Sequence, residues 1–261
     1  MTMNDRMILL TNDDGYYSEG LFALKDKFQS FGECYIVAPD SERSATSMAL
    51  TLHQPIRVRK ENDTTFGVSG TTCDCVYMAV QHLLPRKPDL LVSGINPGPN
   101  LGQQDVAYSG TVAGAFQGGF MQIPSIAVSL LPDKEGIYYF DLTSKIALSI
   151  AEKWLKNRPE SNFILNVNVP PPPIKGIKLT RLGQKRYNPE IISKKDPRNR
   201  DYYWVGTGTP KPIGETDSDV RVVEKGFISV TPLQKDTTDY LNLKELGKKN
   251  SLGNIDHEIL S

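Results

Sequence analysis

The chain has 261 residues, of which 30 are lysine or arginine and 30 are aspartate or glutamate, so its formal net charge at pH 7 is zero. This balance argues against a nucleic-acid coat or a protein that binds acidic membranes, and the length permits one large domain with a full core. No apolar run is long enough to span a bilayer and the N-terminus lacks a signal-peptide pattern, so we expect a soluble, cytoplasmic protein with no membrane partner.

The first predicted strand ends at a pair of carboxylates. Residues 7–10 form a short apolar run typical of a strand buried on both faces, and N-D-D-G follows at 12–15. Open α/β sheets bind ligands at the carboxyl ends of their strands, and Asp13 and Asp14 would repel each other there unless a cation lay between them. The alternative is that the two aspartates only form a turn and cap the helix that begins near Ser18.

The next part of the chain alternates between helical and extended patterns. The patterns predict a helix at 18–28, a strand at 34–38, an extended β excursion at one sheet edge over 48–60 and 64–68, a helix starting at Thr71 or Thr72, and a buried strand at 89–92. The polar loop at 40–47 follows a parallel strand. We therefore expect this loop to lie over the same edge of the sheet as Asp13 and Asp14.

A long glycine-rich loop, over 93–115, follows the strand at 89–92. Its prolines keep the backbone irregular until Ser109, Gly110 and Thr111, where we expect a helix to begin. Hydroxyl groups, free backbone amides and the positive end of the helix dipole would together bind a phosphate group at that position. The alternative is that Ser109 or Thr111 is an ordinary N-cap.

The remaining patterns complete a doubly wound fold and add a C-terminal extension. They predict a strand at 125–130, a helix at 142–154, a strand at 163–169, a projecting arm at 183–204, a linker at 206–219, a strand at 227–230, a short helix at 240–246 and an unstructured tail. We expect a Rossmann-like α/β core with a mainly parallel sheet over 1–180, and the arm, linker, returning strand and terminal helix over 181–261.

The arm mixes basic and aromatic residues, which is compatible with binding of single-stranded nucleic acid. Its apolar side chains favour pairing with a second copy of the chain instead, so we expect a homo-oligomer and no stable nucleic-acid partner.

The residues collected at the predicted sheet edge offer only oxygen ligands. Two carboxylates, a hydroxyl from the 41–47 loop and the amide of Asn96 would select Mg²⁺, Mn²⁺ or Ca²⁺ rather than zinc. A divalent cation beside an anion-binding helix start suits phosphate-ester hydrolysis. The cysteines match no metal-binding spacing and are expected to be free thiols of a reducing compartment; they are Cys34, Cys73 and Cys75. The histidines are expected to be surface or packing residues; they are His53, His82 and His257.

Four blocks of the sequence resemble the signature motifs of the SurE family, the survival-protein-E nucleotidases. They are T-N-D-D-G at 11–15, V-A-P-D-S-E-R-S-A-T-S at 37–47, V-S-G-I-N-P-G-P-N-L-G at 92–102 and Y-S-G-T-V-A-G-A at 108–115. Residues 196–206 also resemble the arm of that family, and 229–233 its last strand. The resemblance implies a metal-dependent phosphomonoesterase that acts on nucleoside 5'- and 3'-monophosphates and, in some members, on short-chain polyphosphate. It further implies a homodimer or homotetramer with exchanged C-terminal elements.

The resemblance also assigns site residues. It places the ligands of one divalent cation per subunit, Mg²⁺ or Mn²⁺ and in a crystal Ca²⁺, on Asp13, Asp14, Ser44 and Asn96. It places phosphate binding on Ser109, Gly110 and Thr111, with backbone amides near Ala45 and Thr46. Two departures from the family pattern are visible: Tyr16 and Tyr17 follow D-D-G and could alter how a base or sugar is held, and Pro97 stands where alanine is common.

These residues suggest a mechanism, stated here as a hypothesis. A metal-bound water attacks the phosphorus in line, Ser109 and Thr111 stabilise the growing charge, and Asp14 or the electrostatics of the metal takes the proton. A haloacid-dehalogenase-type phosphatase would need aspartates two residues apart, but Gly15 stands two after Asp13. A dinucleotide-binding oxidoreductase would need G-x-G-x-x-G after the first strand. The non-enzymatic alternative is a metal-dependent nucleotide or nucleic-acid sensor.

Overall fold

A mixed β-sheet with helices on both faces forms the centre of the protein. The computed structural model describes residues 5–157, 164–187, 190–206, 208, 211–213 and 215–249. The strands of these residues are β1 (Met7–Thr11), β2 (Glu33–Pro39), β3 (Val58–Asn62), β4 (Thr65–Val68), β5 (Leu90–Pro97), β6 (Ser125–Leu130), β7 (Ile164–Val169), β8 (Ile177–Leu179), β9 (Gln184–Arg186), β10 (Glu190–Lys195), β11 (Asp201–Gly206), β12 (Lys211–Ile213) and β13 (Ile228–Leu233). The helices are α1 (Glu19–Phe28), α2 (Thr72–Met78), α3 (Gly102–Tyr108), α4 (Gly110–Phe120), α5 (Phe140–Asn157), α6 (Asp219–Glu224) and α7 (Tyr240–Lys249), and a π-helical segment at Ala79–Leu83 extends α2.

The main sheet has the strand order β3-β4-β2-β1-β5-β6-β7-β13-β8 among the described residues. The strands from β4 to β7 are parallel to their neighbours, whereas β3 is antiparallel to β4 and β13 is antiparallel to β7. After β1 the chain adds β2 and β4 on one side of it, and after β5 it adds β6 and β7 on the opposite side of the sheet. The order therefore reverses between β1 and β5, which creates a crevice at their carboxyl ends.

Alternation along β1 shows how the two faces of the sheet are filled. Ile8 and Leu10 pack with the apolar residues of α1 and α5, whereas Met7 and Leu9 pack with those of α2. Because successive side chains of a strand point to opposite faces, α1 and α5 cover one face and α2 lies on the other, where it contacts α4. The predicted doubly wound, Rossmann-like α/β fold with a mainly parallel sheet is confirmed.

Local signals explain where the helices next to the site begin. Ser18 caps α1 by accepting the N–H of Leu21. Thr71 and Asp74 form a reciprocal capping box at the start of α2. Ser109 caps α4 by accepting the N–H of Val112, so the predicted helix start at 109–111 is confirmed.

Three expectations about local structure were wrong. The β3–β4 hairpin lies at one edge of the sheet, as expected, but residues 48–57 form no strand. The glycine-rich segment contains the end of β5 and the whole of α3, and the 206–219 linker contains β12. These elements are short, and pairing with β6 or β9 stabilises the strands more than local sequence preference does.

The C-terminal third returns to the main sheet and also forms the arm. Strand β13 pairs with β7, and β8 pairs with the other side of β13. Helix α6 contacts both β13 and β7. Neither β8 nor α6 was predicted. The arm contains an antiparallel hairpin of β10 and β11, and β9 pairs with β12 at its base. The expected short terminal helix is present as α7. The first residue of the strand predicted at 163–169 and the predicted unstructured tail lie outside the described residues.

Two composition-based expectations can be compared with this fold. Cys34, Cys73 and Cys75 are all buried free thiols, as predicted. None of the helices in the described ranges combines the length and the apolar character that a membrane crossing needs.

Candidate active site

The D-D-G turn at the end of β1 is held by the side chain of Asn12. Its Oδ1 accepts the N–H of Gly15 at 3.2 Å, and its Nδ2 donates to the carbonyl of Gly15 at 3.1 Å. Gly15 has a φ of +109°, a backbone conformation that L residues rarely adopt. The buried amide and the glycine therefore fix the direction in which the two aspartates leave the strand.

A cleft of about 830 Å³ lies at the reversal of strand order, and we call it the acidic cleft. Six residues that the sequence analysis proposed as ligands or phosphate contacts line it; they are Asp13, Asp14, Ser44, Ala45, Asn96 and Ser109. They come from four separate segments, namely the ends of β1 and β5, the loop after β2 and the start of α4. The structure thus brings together every proposed metal ligand.

Thr46, Gly110 and Thr111 lie next to the acidic cleft but do not line it. The buried Thr111 donates its hydroxyl to Oδ1 of Asp13, and Thr46 donates its hydroxyl to the carbonyl of Arg43 at 2.9 Å. A Cβ on Gly110 would stand 2.7 Å from the Cβ of Asp13. The Thr111 hydroxyl therefore positions Asp13, and the missing Cβ at Gly110 leaves room for the Asp13 side chain. This role of the Thr111 hydroxyl differs from the direct contact with phosphate that we expected of it.

The electrostatics of the aspartate pair are unfavourable without a cation. Burial raises the pKa of Asp13, and its hydrogen bond from Thr111 opposes that rise only in part. Burial, the charge of Asp13 and the charge of Glu42 raise the pKa of Asp14 to about 7. In addition, Oδ2 of Asp14 is buried without a hydrogen-bond partner. A buried, unpaired carboxylate oxygen beside two other acids suits a bound cation.

The other proposed ligands also present oxygen. Asn96 donates through Nδ2 to the carbonyl of Gly98 at 2.8 Å, which leaves its Oδ1 as the atom for a cation. Ser44 donates its hydroxyl to Glu42 at 2.7 Å, so its Oγ retains lone pairs. The described part of the chain contains no trio of His, Cys, Asp or Glu side chains placed to hold a metal ion. A cation here would therefore need amide and hydroxyl oxygens besides the two carboxylates.

Sequence reasoning missed several residues of the acidic cleft. Glu42 lines it, and its position two residues before Ser44 in a polar loop was the available signal. Gln104 and Tyr108 line it from α3, a helix that the sequence did not reveal. Tyr187 lines it from the end of β9.

The two tyrosines after the D-D-G turn do not line the acidic cleft. The ring of Tyr16 is buried beneath Gly67 of β4, where a Cβ on Gly67 would stand 2.7 Å from it. Its hydroxyl donates to Glu61 on β3 at 3.0 Å. Tyr16 thus supports the edge of the sheet, and the expectation that Tyr16 and Tyr17 could alter how a base or sugar is held stays a prediction.

The fold and the acidic cleft together define a doubly wound α/β protein with a carboxylate site at its topological switch point. The family model described as Survival protein SurE matches residues 8–189. The chain belongs to the SurE family.

Relatives and a solved structure agree with this assignment. The chain is 44% identical over 247 residues to the protein named 5'-nucleotidase SurE from Geotalea daltonii, covering 92% of this chain and 98% of that one. It is 42% identical over 243 residues to a protein of the same name from Vibrio cholerae serotype O1, covering 92% and 95%. Its fold is similar to the crystal structure of the SurE protein from Aquifex aeolicus, with a TM-score of 0.80 and 37% identity over 94% of this chain and 99% of that one.

Proposed function

We propose that this protein is a phosphomonoesterase that hydrolyses nucleoside monophosphates to nucleoside and phosphate. The observation that carries the proposal is the pair Asp13 and Asp14 beside the start of α4, with Oδ2 of Asp14 buried and unpaired. Relatives that share over 40% of their residues with nearly the whole chain are named 5'-nucleotidases. Acceptance of 3'-esters and of short-chain polyphosphate, and a cytoplasmic location, stay predictions from the sequence.

The cofactor that fits the acidic cleft is one divalent cation, Mg²⁺ or Mn²⁺. Asp13, Asp14, Ser44 and Asn96 would hold it, because they supply the hard oxygen ligands that these ions prefer. When bound, such a cation neutralises charge on a phosphoryl group and lowers the pKa of water.

The residues around this site have separate tasks in the proposed reaction. Ser109 accepts the N–H of Val112 at 3.0 Å, so its hydroxyl proton remains available for a phosphate oxygen. The positive end of α4 adds to this stabilisation of negative charge. Thr111 holds Asp13 in place through its hydroxyl. Asp14, with a pKa of about 7 before a cation binds, is our candidate for the group that accepts the proton of the attacking water.

The test of this function is release of phosphate from 5'-AMP by the purified protein. We expect hydrolysis with Mg²⁺ or Mn²⁺, its loss with a chelator and its recovery when the ion is restored. Asp13→Ala and Asn96→Ala should each lower the rate at least about a hundredfold, since each removes a proposed ligand. Wild-type rates in either variant would refute the ligand assignment. Binding of AMP without phosphate release would favour the nucleotide sensor instead.

We also propose that the protein forms a homodimer or homotetramer through its arm. Cross-strand pairs Ile191–Val205 and Ile192–Trp204 lie on opposite faces of the β10–β11 hairpin, and all four side chains are exposed. An isolated two-stranded hairpin is only marginally stable in water, and exposed apolar clusters usually mark an interface. A second copy of the chain would cover these side chains.

A charge placed on the hairpin should disrupt this oligomer. We expect Trp204→Glu to lower the molar mass measured by light scattering during size-exclusion chromatography to that of a smaller species, because the carboxylate would be buried in the interface. Phe22→Glu, a change at an exposed apolar residue of α1, is the control that keeps the wild-type mass. A monomeric wild type would contradict the proposal, as would a Trp204→Glu variant with unchanged mass.

A further inference from the structure

One face of α3 lines a part of the acidic cleft that the proposed phosphate chemistry does not use. Gln104 and Tyr108 both line the cleft and lie four residues apart on this helix. Residues with that spacing share one helix face, so the two side chains are neighbours. A phosphate group and a cation fill only a fraction of about 830 Å³. The remaining volume can therefore hold the rest of a phosphate ester.

The backbone at Tyr108 is tied to the segments that carry the proposed phosphate contacts. Its carbonyl accepts the N–H of Ser47 at 3.1 Å, and the carbonyl of Ala107 accepts the hydroxyl of Ser47 at 2.7 Å. The next residue along the chain is Ser109, the N-cap of α4. Tyr108 is 58% exposed although its backbone is held by the hydrogen bond from Ser47. Tyr108 thus places an aromatic ring at the cleft, directly before Ser109 in the sequence and on a backbone that is held in place.

The charges in this part of the cleft disfavour a second phosphate group. Among the described residues that line the cleft, none is a lysine or an arginine. The nearby Lys185 forms an ion pair with Asp105, and Asp105 also accepts a hydrogen bond from the hydroxyl of Tyr187. Asp105 also lines the cleft, but its charge is paired with that of Lys185. The part of the cleft beside α3 therefore offers an aromatic face and polar groups without an unpaired charge, which suit an uncharged flat ring.

We propose that Tyr108 and Gln104 form the nucleoside subsite, with Tyr108 stacking on the nucleobase and Gln104 forming a hydrogen bond to the nucleoside. This proposal rests on the nucleotidase function proposed above and names the residues that recognise its substrate. Stacking on an aromatic side chain accepts every base, because each base has a π face. Tyr108 is then a specificity residue that selects nucleotides over phosphate esters without a base.

The test compares 5'-AMP with ribose 5-phosphate, which lacks the base. In Tyr108→Ala the ratio of kcat/KM for AMP to kcat/KM for ribose 5-phosphate should fall about tenfold to a hundredfold, mainly through a higher KM for AMP. Tyr108→Phe retains the aromatic face and should keep the wild-type ratio within about twofold. Tyr77→Ala removes an exposed tyrosine of α2 that does not line the cleft, and its ratio should match that of the wild type.

Each outcome decides the proposal. A ratio in Tyr108→Ala equal to that of the wild type, including an equal fall for both substrates, would overturn the subsite and leave the nucleotidase function intact. A fall of the ratio in Tyr108→Phe equal to that in Tyr108→Ala would show that the hydroxyl group rather than the aromatic face is recognised, which also overturns stacking. If the wild type releases phosphate from neither compound in the presence of Mg²⁺ or Mn²⁺, the proposed function fails and the subsite with it.

Discussion

An Asp14→Asn variant is expected to lose phosphatase activity by a factor on the order of 10³, while its metal-free form becomes more stable than the wild type near pH 8. The loss of activity follows because the variant lacks both a proposed ligand charge and the proposed proton acceptor. The gain in stability follows because the wild-type carboxylate is partly buried, lies next to Asp13 and Glu42, and has an oxygen without a hydrogen bond.

The sign of the pH dependence follows from the direction of the pKa shift. The pKa of Asp14 is raised from 3.8 to about 7 in the folded protein, so the folded state binds more protons than the unfolded state between these values. The free energy of unfolding of the metal-free protein therefore falls as the pH rises through this window. Because Asp14 is partly solvent-accessible, we expect the variant to gain only on the order of 1–2 kcal/mol above pH 7.

Urea unfolding of the metal-free proteins from pH 4 to pH 8 measures this effect. The curve of stability against pH should be flatter for Asp14→Asn than for the wild type, and added Mg²⁺ or Mn²⁺ should stabilise the wild type much more than the variant. The control is Glu19→Gln, which neutralises an acidic residue in the first turn of α1 that does not line the acidic cleft. A variant less stable than the wild type at pH 8 would contradict the expected electrostatic penalty.

A Gly94→Ala variant is expected to lose about 3–5 kcal/mol of stability, the largest effect on folding that we predict for a single methyl group. Gly94 lies within β5 and has a φ of +132°. A Cβ at this position would stand 2.2 Å from the carbonyl oxygen of Val128 on β6. Because the clash is with the backbone of a buried strand, no side-chain rotation can relieve it. Displacement of β5 would also move Asn96, so activity should fall with stability.

The control variant Gly136→Ala separates two causes of the expected stability loss, namely the clash with Val128 and the positive φ. Gly136 also has a positive φ, +81°, but nothing lies within 4 Å of the position of its Cβ. This control should lose only about 1 kcal/mol, from the left-handed backbone conformation alone. Urea unfolding midpoints measure the loss of stability in Gly94→Ala and in Gly136→Ala. Equal losses would show that the contact with Val128 is unimportant.

Much of the site could be predicted from the sequence because it depends on strand ends. Asp13 and Asp14 follow a continuous apolar run, and Asn96 follows another, so the rule for parallel sheets places them together without coordinates. Ser44 could be distinguished from its neighbours only through the family resemblance. Its loop was identified, but which hydroxyl faces the cleft depends on how the loop folds.

Other parts of the acidic cleft could not be read from the sequence. Helix α3 lies in a segment rich in glycine and proline, and its local preference for a helix is weak. Its start is set by tertiary contacts, since the N–H of Gly102 donates to the buried Asp219 and the N–H of Gln103 donates to the carbonyl of Gly183. These partners are about eighty or more residues away along the chain. Gln104 and Tyr108 were therefore missed together with the helix.

The sequence by itself determined the family, through its four motif blocks. It also determined the doubly wound α/β fold and the strand ends that supply the proposed ligands, because buried apolar runs and turn residues are local signals. The tertiary structure decided which groups share the site. It directed Thr111 to Asp13, turned Tyr16 away to Glu61 and brought α3 and Tyr187 to the cleft. Burial and hydrogen-bond pairing join residues that are distant in the chain, and these contacts exist only once the sheet and its helices have assembled.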